Sequence, residues 1–157
     1  MDDIYSRAKE YAFKLLTFRP RTKKEIEDKL AGKNYPAEII RQIVQMLENY
    51  NLVNDEEFAE LWIRDRCKVR SYGRWRIKHE LALKGIDRAL IDEQVNRLIS
   101  DEEEFEMARR LVEKKRKTGR LNKRKVYAFL RRRGFPREIV NHLLAEYGWE
   151  EAENPCE

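Results

Sequence analysis

Two stretches of the chain carry residues that could grip an anion. Residues 109–137 hold fourteen Lys and Arg against one acid, Glu113. The dense groups are Lys114-Lys115-Arg116-Lys117, Arg120, Lys123-Arg124-Lys125 and Arg131-Arg132-Arg133. Residues 64–84 hold eight against Asp65 and Glu80. A charge run is usually a solvated helix face, but one this poor in acid suits a polyanion or an acidic protein groove. Within the second, between two expected helices, lies Arg70-Ser71-Tyr72-Gly73-Arg74-Trp75-Arg76, which mixes cations, aromatics and a glycine. That mixture can hold a phosphate backbone or a partner's acidic surface; the plainer reading is a loop with one aromatic tucked inward. The candidate contact residues are Arg70, Arg74 and Arg76, with Lys123, Arg124, Arg131 and Arg132.

No constellation for covalent chemistry stands beside them. The six glycines are dispersed, so there is no Gly-rich phosphate loop, and HExxH, nucleophile-elbow and EF-hand patterns are missing. His79 and His142 fall at polar helix slots and read as surface residues. Cys67 sits among Arg64, Arg66, Lys68 and Arg70, which in principle lower a thiol pKa, although a small helix residue is the simpler reading. The acidic run Asp101 to Glu104 has a sufficient explanation in the positive end of a helix dipole, without a metal. The chain is therefore expected to act by binding, with no cofactor.

The elements that must carry these residues are helices. The chain has 157 residues, 41% hydrophobic and 40% charged, with only six Gly and four Pro, and good helix formers dominate. Net charge is +5. No apolar run approaches membrane-spanning length, the acidic start MDDIYSRAKE is not a secretory signal, and Cys67 and Cys156 lack CxxC spacing. A reduced, cytoplasmic monomer is the expectation, with no membrane association.

The chain also repeats itself. Ile26, Ile77 and Val126 are each followed four residues later by Leu30, Leu81 or Leu130. Next come Lys33-Asn34-Tyr35, Lys84-Gly85-Ile86 and Arg133-Gly134-Phe135, then Pro36, Asp87 or Pro136, then Ile39-Ile40, Leu90-Ile91 and Ile139-Val140. Residues four apart share a helix face. Gly or Asn can take the left-handed conformation that ends a helix, and the apolar residue after it folds back on the last turn. Pro or Asp then opens the next helix. A third helix precedes each pair, aligned through Tyr11-Ala12, Phe58-Ala59 and Met107-Ala108, with capping boxes at Thr22 and Ser100 and an Asn-capped relative at Asn54. Tyr35, Phe58, Trp62, Phe105 and Phe135 occupy inward slots. The fold class expected is all-α: three tandem three-helix, helix-turn-helix-like repeats over 1–50, 51–100 and 101–148, forming an elongated, curved body, with an acidic tail at 149–157. The nine helices are expected near 5–18, 22–33, 36–50, 55–70, 74–84, 87–99, 102–117, 122–133 and 136–147.

With these residues laid out, the chain resembles the RecX family, bacterial regulators of the RecA recombinase, over roughly residues 8 to 147. The most specific block is Leu52-Val53-Asn54-Asp55-Glu56-Glu57-Phe58-Ala59, then Gly73-Arg74-Trp75-Arg76-Ile77, then Glu80-Leu81 to Lys84-Gly85-Ile86. The first unit adds Arg21-Thr22-Lys23-Lys24-Glu25-Ile26 and Lys29-Leu30. The family usually has Ser at Thr22 and often Gly at Asn34, swaps that preserve capping, and the third unit matches more loosely. The resemblance implies three tandem three-helix repeats. It also implies binding to the RecA filament on single-stranded DNA, with suppression of ATPase, strand exchange and co-protease activity, and no cofactor. The alternative function is direct binding to single- or double-stranded DNA through the basic helices.

Overall fold

The computed structural model describes residues 2–119 and 121–148; Arg120, Cys156 and the acidic tail at 149–157 lie outside the described residues. The described residues form nine α-helices and no strand. They are α1 (Asp2–Phe18), α2 (Lys23–Gly32), α3 (Ala37–Asn49), α4 (Asp55–Asp65), α5 (Arg74–Leu83), α6 (Arg88–Leu98), α7 (Asp101–Arg116), α8 (Lys123–Arg132) and α9 (Arg137–Glu146). One departure from the expected helices is physical. The helix expected to run on to residue 70 widens after Asp65 into a π turn over Arg66–Arg70, closed by Ser71 in the left-handed region (φ 54°).

Short polar side chains start the helices. The backbone N–H groups of Glu25, Glu57, Glu103 and Lys125 donate to Thr22 Oγ1, Asn54 Oδ1, Ser100 Oγ and Asn122 Oδ1 at 3.2, 3.0, 3.1 and 2.9 Å. Each satisfies one of the donors that a first helical turn leaves free. The ends of α2, α5 and α8 are one motif written three times. Asn34, Gly85 and Gly134 are left-handed (φ 62°, 82° and 91°). The next N–H, of Tyr35, Ile86 or Phe135, donates back to the carbonyl of Leu30, Leu81 or Leu130 at 3.1–3.3 Å, as a Schellman ending requires. Pro36, Asp87 and Pro136 then sit immediately before α3, α6 and α9.

Among the described residues, packing gives two compact units, one of residues up to Leu61 with Leu81–Ile91, the other of Trp62–Glu80 with the residues from Asp92 onward. In the first, Ala8, Ala12, Leu15, Ile26, Leu30, Ile43, Val44, Leu47 and Val53 form a core, with Tyr35 against it. In the second, Met107, Ala108, Val112, Val126, Leu130, Phe135, Val140, Leu143 and Leu144 do so, with Phe105 and Cys67 against it. Phe58 and Phe135 are buried, whereas Tyr35, Trp62 and Phe105 are half-buried.

Each unit contains one joint between successive repeats, and the two joints share a plan. In the first unit the start of α2 lies on the α5–α6 turn. The buried Thr22 hydroxyl donates to the Lys84 carbonyl at 2.7 Å, and Lys84 Nζ lies 3.8 Å from Glu25. In the second the start of α5 lies on the α8–α9 turn, where Gly73 N–H donates to the Arg133 carbonyl at 2.8 Å and Trp75 N–H to the Gly134 carbonyl at 3.0 Å. Thr22 and Gly73 are the same repeat position, as are Lys84 and Arg133. The approach is close: a Cβ on Gly73 would lie 2.5 Å from the backbone of Gly134 and Phe135, and one on Gly85 2.3 Å from the Lys24 side chain.

A carboxylate from the next repeat completes each joint. Lys23 N–H donates to Asp55 Oδ1 at 2.9 Å, and Arg74 N–H donates to Glu104 Oε2 at 2.7 Å. In the alignment of the first helices, Ala8, Asp55 and Glu104 share one slot. Gly73 has an ordinary φ, so Gly73→Ala tests the contact alone. Overpacking of this kind costs roughly 1–3 kcal/mol. Gly32→Ala, with nothing within 4 Å of its would-be Cβ, is expected to leave the fold unharmed or stabilise it by up to about 1 kcal/mol. Urea unfolding of the two variants beside wild type checks the opposite signs.

Candidate functional site

The segment from Arg70 to Arg76 reaches its place because the π turn and left-handed Ser71 turn the chain sharply. Tyr72 N–H donates back to the Arg66 carbonyl at 3.0 Å, and an Arg133 guanidinium N–H donates to the Arg70 carbonyl at 2.6 Å. This lays the segment beside the end of α8, and cations and rings interleave there. The Arg76 guanidinium carbon sits 3.7 Å from the Tyr72 ring centre, with Arg133 at 5.8 Å from the same ring. Arg133 also lies 5.2 Å from the Phe129 ring, over which Lys115 Nζ sits at 3.9 Å. Arg131 stands 6.0 Å from the ring of Trp75, which is 62% exposed. Contacts between cations and ring faces contribute about 0.5–1 kcal/mol each at exposed sites. Their larger effect here is to hold long side chains in fixed places.

The seven candidate residues do not share one state. Arg74 is committed within the chain. Its Nε donates to Glu104 Oε1 at 2.9 Å, and its second terminal nitrogen reaches the Ile99 carbonyl at 3.2 Å and Asp101 at 3.0 Å. Its side chain is 18% exposed and Glu104 is fully buried. Arg76 is shared between the Tyr72 face and Glu80, 3.6 Å away. Arg131 donates to the Phe135 carbonyl at 2.9 Å, which steadies it without neutralising it. Lys123 is half-buried, and its Nζ has no hydrogen-bond partner among the described residues. Arg70, Arg124 and Arg132 are exposed.

The acids nearest this charge already have partners. Glu80 accepts from Trp62 Nε1 and Arg66 Nε, both at 2.9 Å, and Asp65 pairs with Arg66 at 2.5 Å. Glu113, alone in the basic run, accepts from the Tyr147 hydroxyl and lies 3.9 Å from Arg116. The lysines and arginine that close α7 sit where a helix dipole welcomes cations. Lys123, Arg124 and Lys125 do not. They fill the first turn of α8, the positive end, with no acid beside them in that turn, an arrangement that costs roughly 0.3–1 kcal/mol per charge. Side chains held against a local rule mark places where another demand outweighs stability.

The other candidates resolve simply. Burial beside Glu104 and Glu103 pushes the Cys67 thiol up to about 11, so it stays protonated despite the neighbouring arginines. His79 and His142 are exposed, the latter with its ring 4.9 Å from that of Phe105. No group of three or more His, Cys, Asp or Glu is placed to hold a metal, and no helix is long and apolar enough to cross a membrane, both among the described residues. What residue-by-residue reading of the sequence missed is Glu104, taken there for one more dipole carboxylate. The signal was available in the repeats: Glu104 occupies the slot of Asp55.

Burial raises the Glu104 carboxyl above its ordinary 4.5, against the lowering effect of Arg74. The folded chain therefore holds that proton to higher pH than the unfolded chain. The stability of wild type relative to Glu104→Gln is expected to be greatest in acid and to shrink as pH rises through the raised value. Glu104→Ala removes the buried partner of the Arg74 guanidinium, which keeps Asp101 and the Ile99 carbonyl, and is expected to cost roughly 1–3 kcal/mol. Urea unfolding of the three proteins from acid to neutral pH measures both.

Comparison with known proteins follows the same repeats. Sequence models of the first, second and third three-helix domains of RecX match residues 8–47, 54–93 and 101–144. The regulatory protein RecX of Amycolatopsis mediterranei is 33% identical over 95% of this chain and 90% of its own length. That of Streptomyces lividans is 33% identical over 93% of this chain and 82% of its own length. The crystal structure of RecX from Lactobacillus salivarius superposes with a TM-score of 0.85 at 27% identity, covering 94% of this chain and 99% of that one.

Proposed function

This chain belongs to the RecX family of regulatory proteins, and from that premise we propose that it binds the RecA filament on single-stranded DNA and restrains its ATPase, strand-exchange and co-protease activities. It acts by binding, as a cytoplasmic monomer without a cofactor, and its functional modules are the repeats over 1–50, 51–100 and 101–148. The observation that carries the reading beyond family membership is the set of cations at the first turn of α8, kept there against the helix dipole. Arg70, Arg76, Lys123, Arg124, Arg131 and Arg132 contact acidic side chains of the filament through charge-assisted hydrogen bonds. Arg74 belongs to the same set as a positioning residue, since its guanidinium is taken by Glu104 and Asp101. The interleaved rings hold the cationic groups apart, which lowers the entropy lost when they dock.

The test is RecA ATPase on single-stranded DNA with added protein. Inhibition is expected at concentrations comparable to RecA. Arg124→Glu combined with Arg132→Glu, both at exposed positions, is expected to weaken it by at least about tenfold, since hydrogen bonds to charged groups contribute about 1.5–3 kcal/mol each. If the folded wild-type protein leaves the ATPase unchanged at stoichiometric concentration, the reading is wrong.

A further inference from the structure

Trp75 takes no part in either core. It lies at the start of α5 with 62% of its surface exposed, a large apolar side chain left in water beside cations. Its backbone is anchored, because its N–H donates to the Gly134 carbonyl at 3.0 Å. An open cleft of about 580 Å³ runs past the ring, bounded by Arg76 and His79 on α5 and by Arg131 and Arg132 at the end of α8. Arg131 stands 6.0 Å from the ring centre and is steadied through the Phe135 carbonyl. The one acid in the wall, Glu80, is already accepting from Trp62 and Arg66. The cleft thus offers a flat aromatic face, on an anchored stretch of backbone and flanked by guanidinium groups.

We propose that this cleft is a subsite for single-stranded nucleic acid, in which one unpaired base stacks on Trp75 while neighbouring phosphates meet Arg131 and Arg132. Unpaired bases stack on exposed aromatic side chains whatever their identity, and cations beside the ring follow the backbone. A duplex keeps its base faces stacked and cannot use the ring. An acidic peptide uses the arginines but has no call on a flat indole face. Arg76 stays over Tyr72, and His79 lines the cleft one helical turn beyond Trp75. This inference goes beyond the filament reading and does not rest on it, because the strand is bound with no recombinase present.

Binding of fluorescently labelled oligo(dT) to the full chain, followed by anisotropy at low salt, is compared with an abasic oligonucleotide of equal length and charge. Wild type is expected to prefer oligo(dT). Trp75→Ala is expected to weaken oligo(dT) about 5- to 150-fold, the range for losing one stacked base, and to bind the abasic strand as wild type does. Trp75→Phe, which keeps a ring, restores part of the preference. Arg132→Ala weakens both strands alike and lowers the salt slope by about 0.7 for one lost phosphate contact. Circular dichroism confirms that the exposed substitutions leave the helices intact. Equal affinity of wild type for the two strands, a preference that survives Trp75→Ala, or no binding of oligo(dT) at low salt would each overturn the proposal. These measurements contain no recombinase, and Trp75→Ala, outside the residues assigned to filament contact, separates loss of strand binding from loss of RecA ATPase inhibition.

Discussion

The first turn of a helix leaves backbone N–H groups without partners, and a short repeat has few side chains to spare for them. In this chain the second helix of a repeat takes part of its cap from the repeat that follows. Asp55 accepts from Lys23 N–H and Glu104 from Arg74 N–H, each reaching back from the first helix of its own repeat. Around each of these bonds the preceding helix start comes down on the following repeat's glycine turn. A segment of about fifty residues buries too small a fraction of its surface to be comfortably stable alone. Neighbour-to-neighbour contacts supply the remainder in repeat proteins. Here those contacts are specific hydrogen bonds as well as apolar area. Burial raises both carboxyl groups above their ordinary pKa.

Much of the local structure was legible from residue types. The caps at Thr22, Asn54 and Ser100, the left-handed endings at Asn34, Gly85 and Gly134, and the inward Phe58 and Phe135 all follow from short-range physics. What was not legible depends on residues far apart in the chain. Nothing local says that Glu104, fourth in a run of acids at a helix start, turns inward to a chain segment thirty residues earlier. The π turn at Arg66–Arg70 is equally silent, because apolar periodicity cannot separate an α turn from a wider one over a single turn.

The candidate surface shows the same division. The cationic runs and the exposed Trp75 were readable as types, whereas the state of each cation was not. Arg74 looks like its neighbours in sequence, yet its charge is taken by one buried carboxylate, Glu104, and one exposed one, Asp101. Cys67 sits among arginines in sequence and still finds itself facing Glu103 and Glu104 across the packed helices. Density of charge identifies a region; which members remain available depends on the three-dimensional pairing of acids such as Glu80 and Asp65.

The three left-handed endings differ in their side chains. Gly85 and Gly134 carry no side chain, and a preceding helix lies directly on each. Asn34, at the corresponding turn of the first repeat, has a Cβ and is exposed. A further module seated on that turn in the manner of the other two would collide with it.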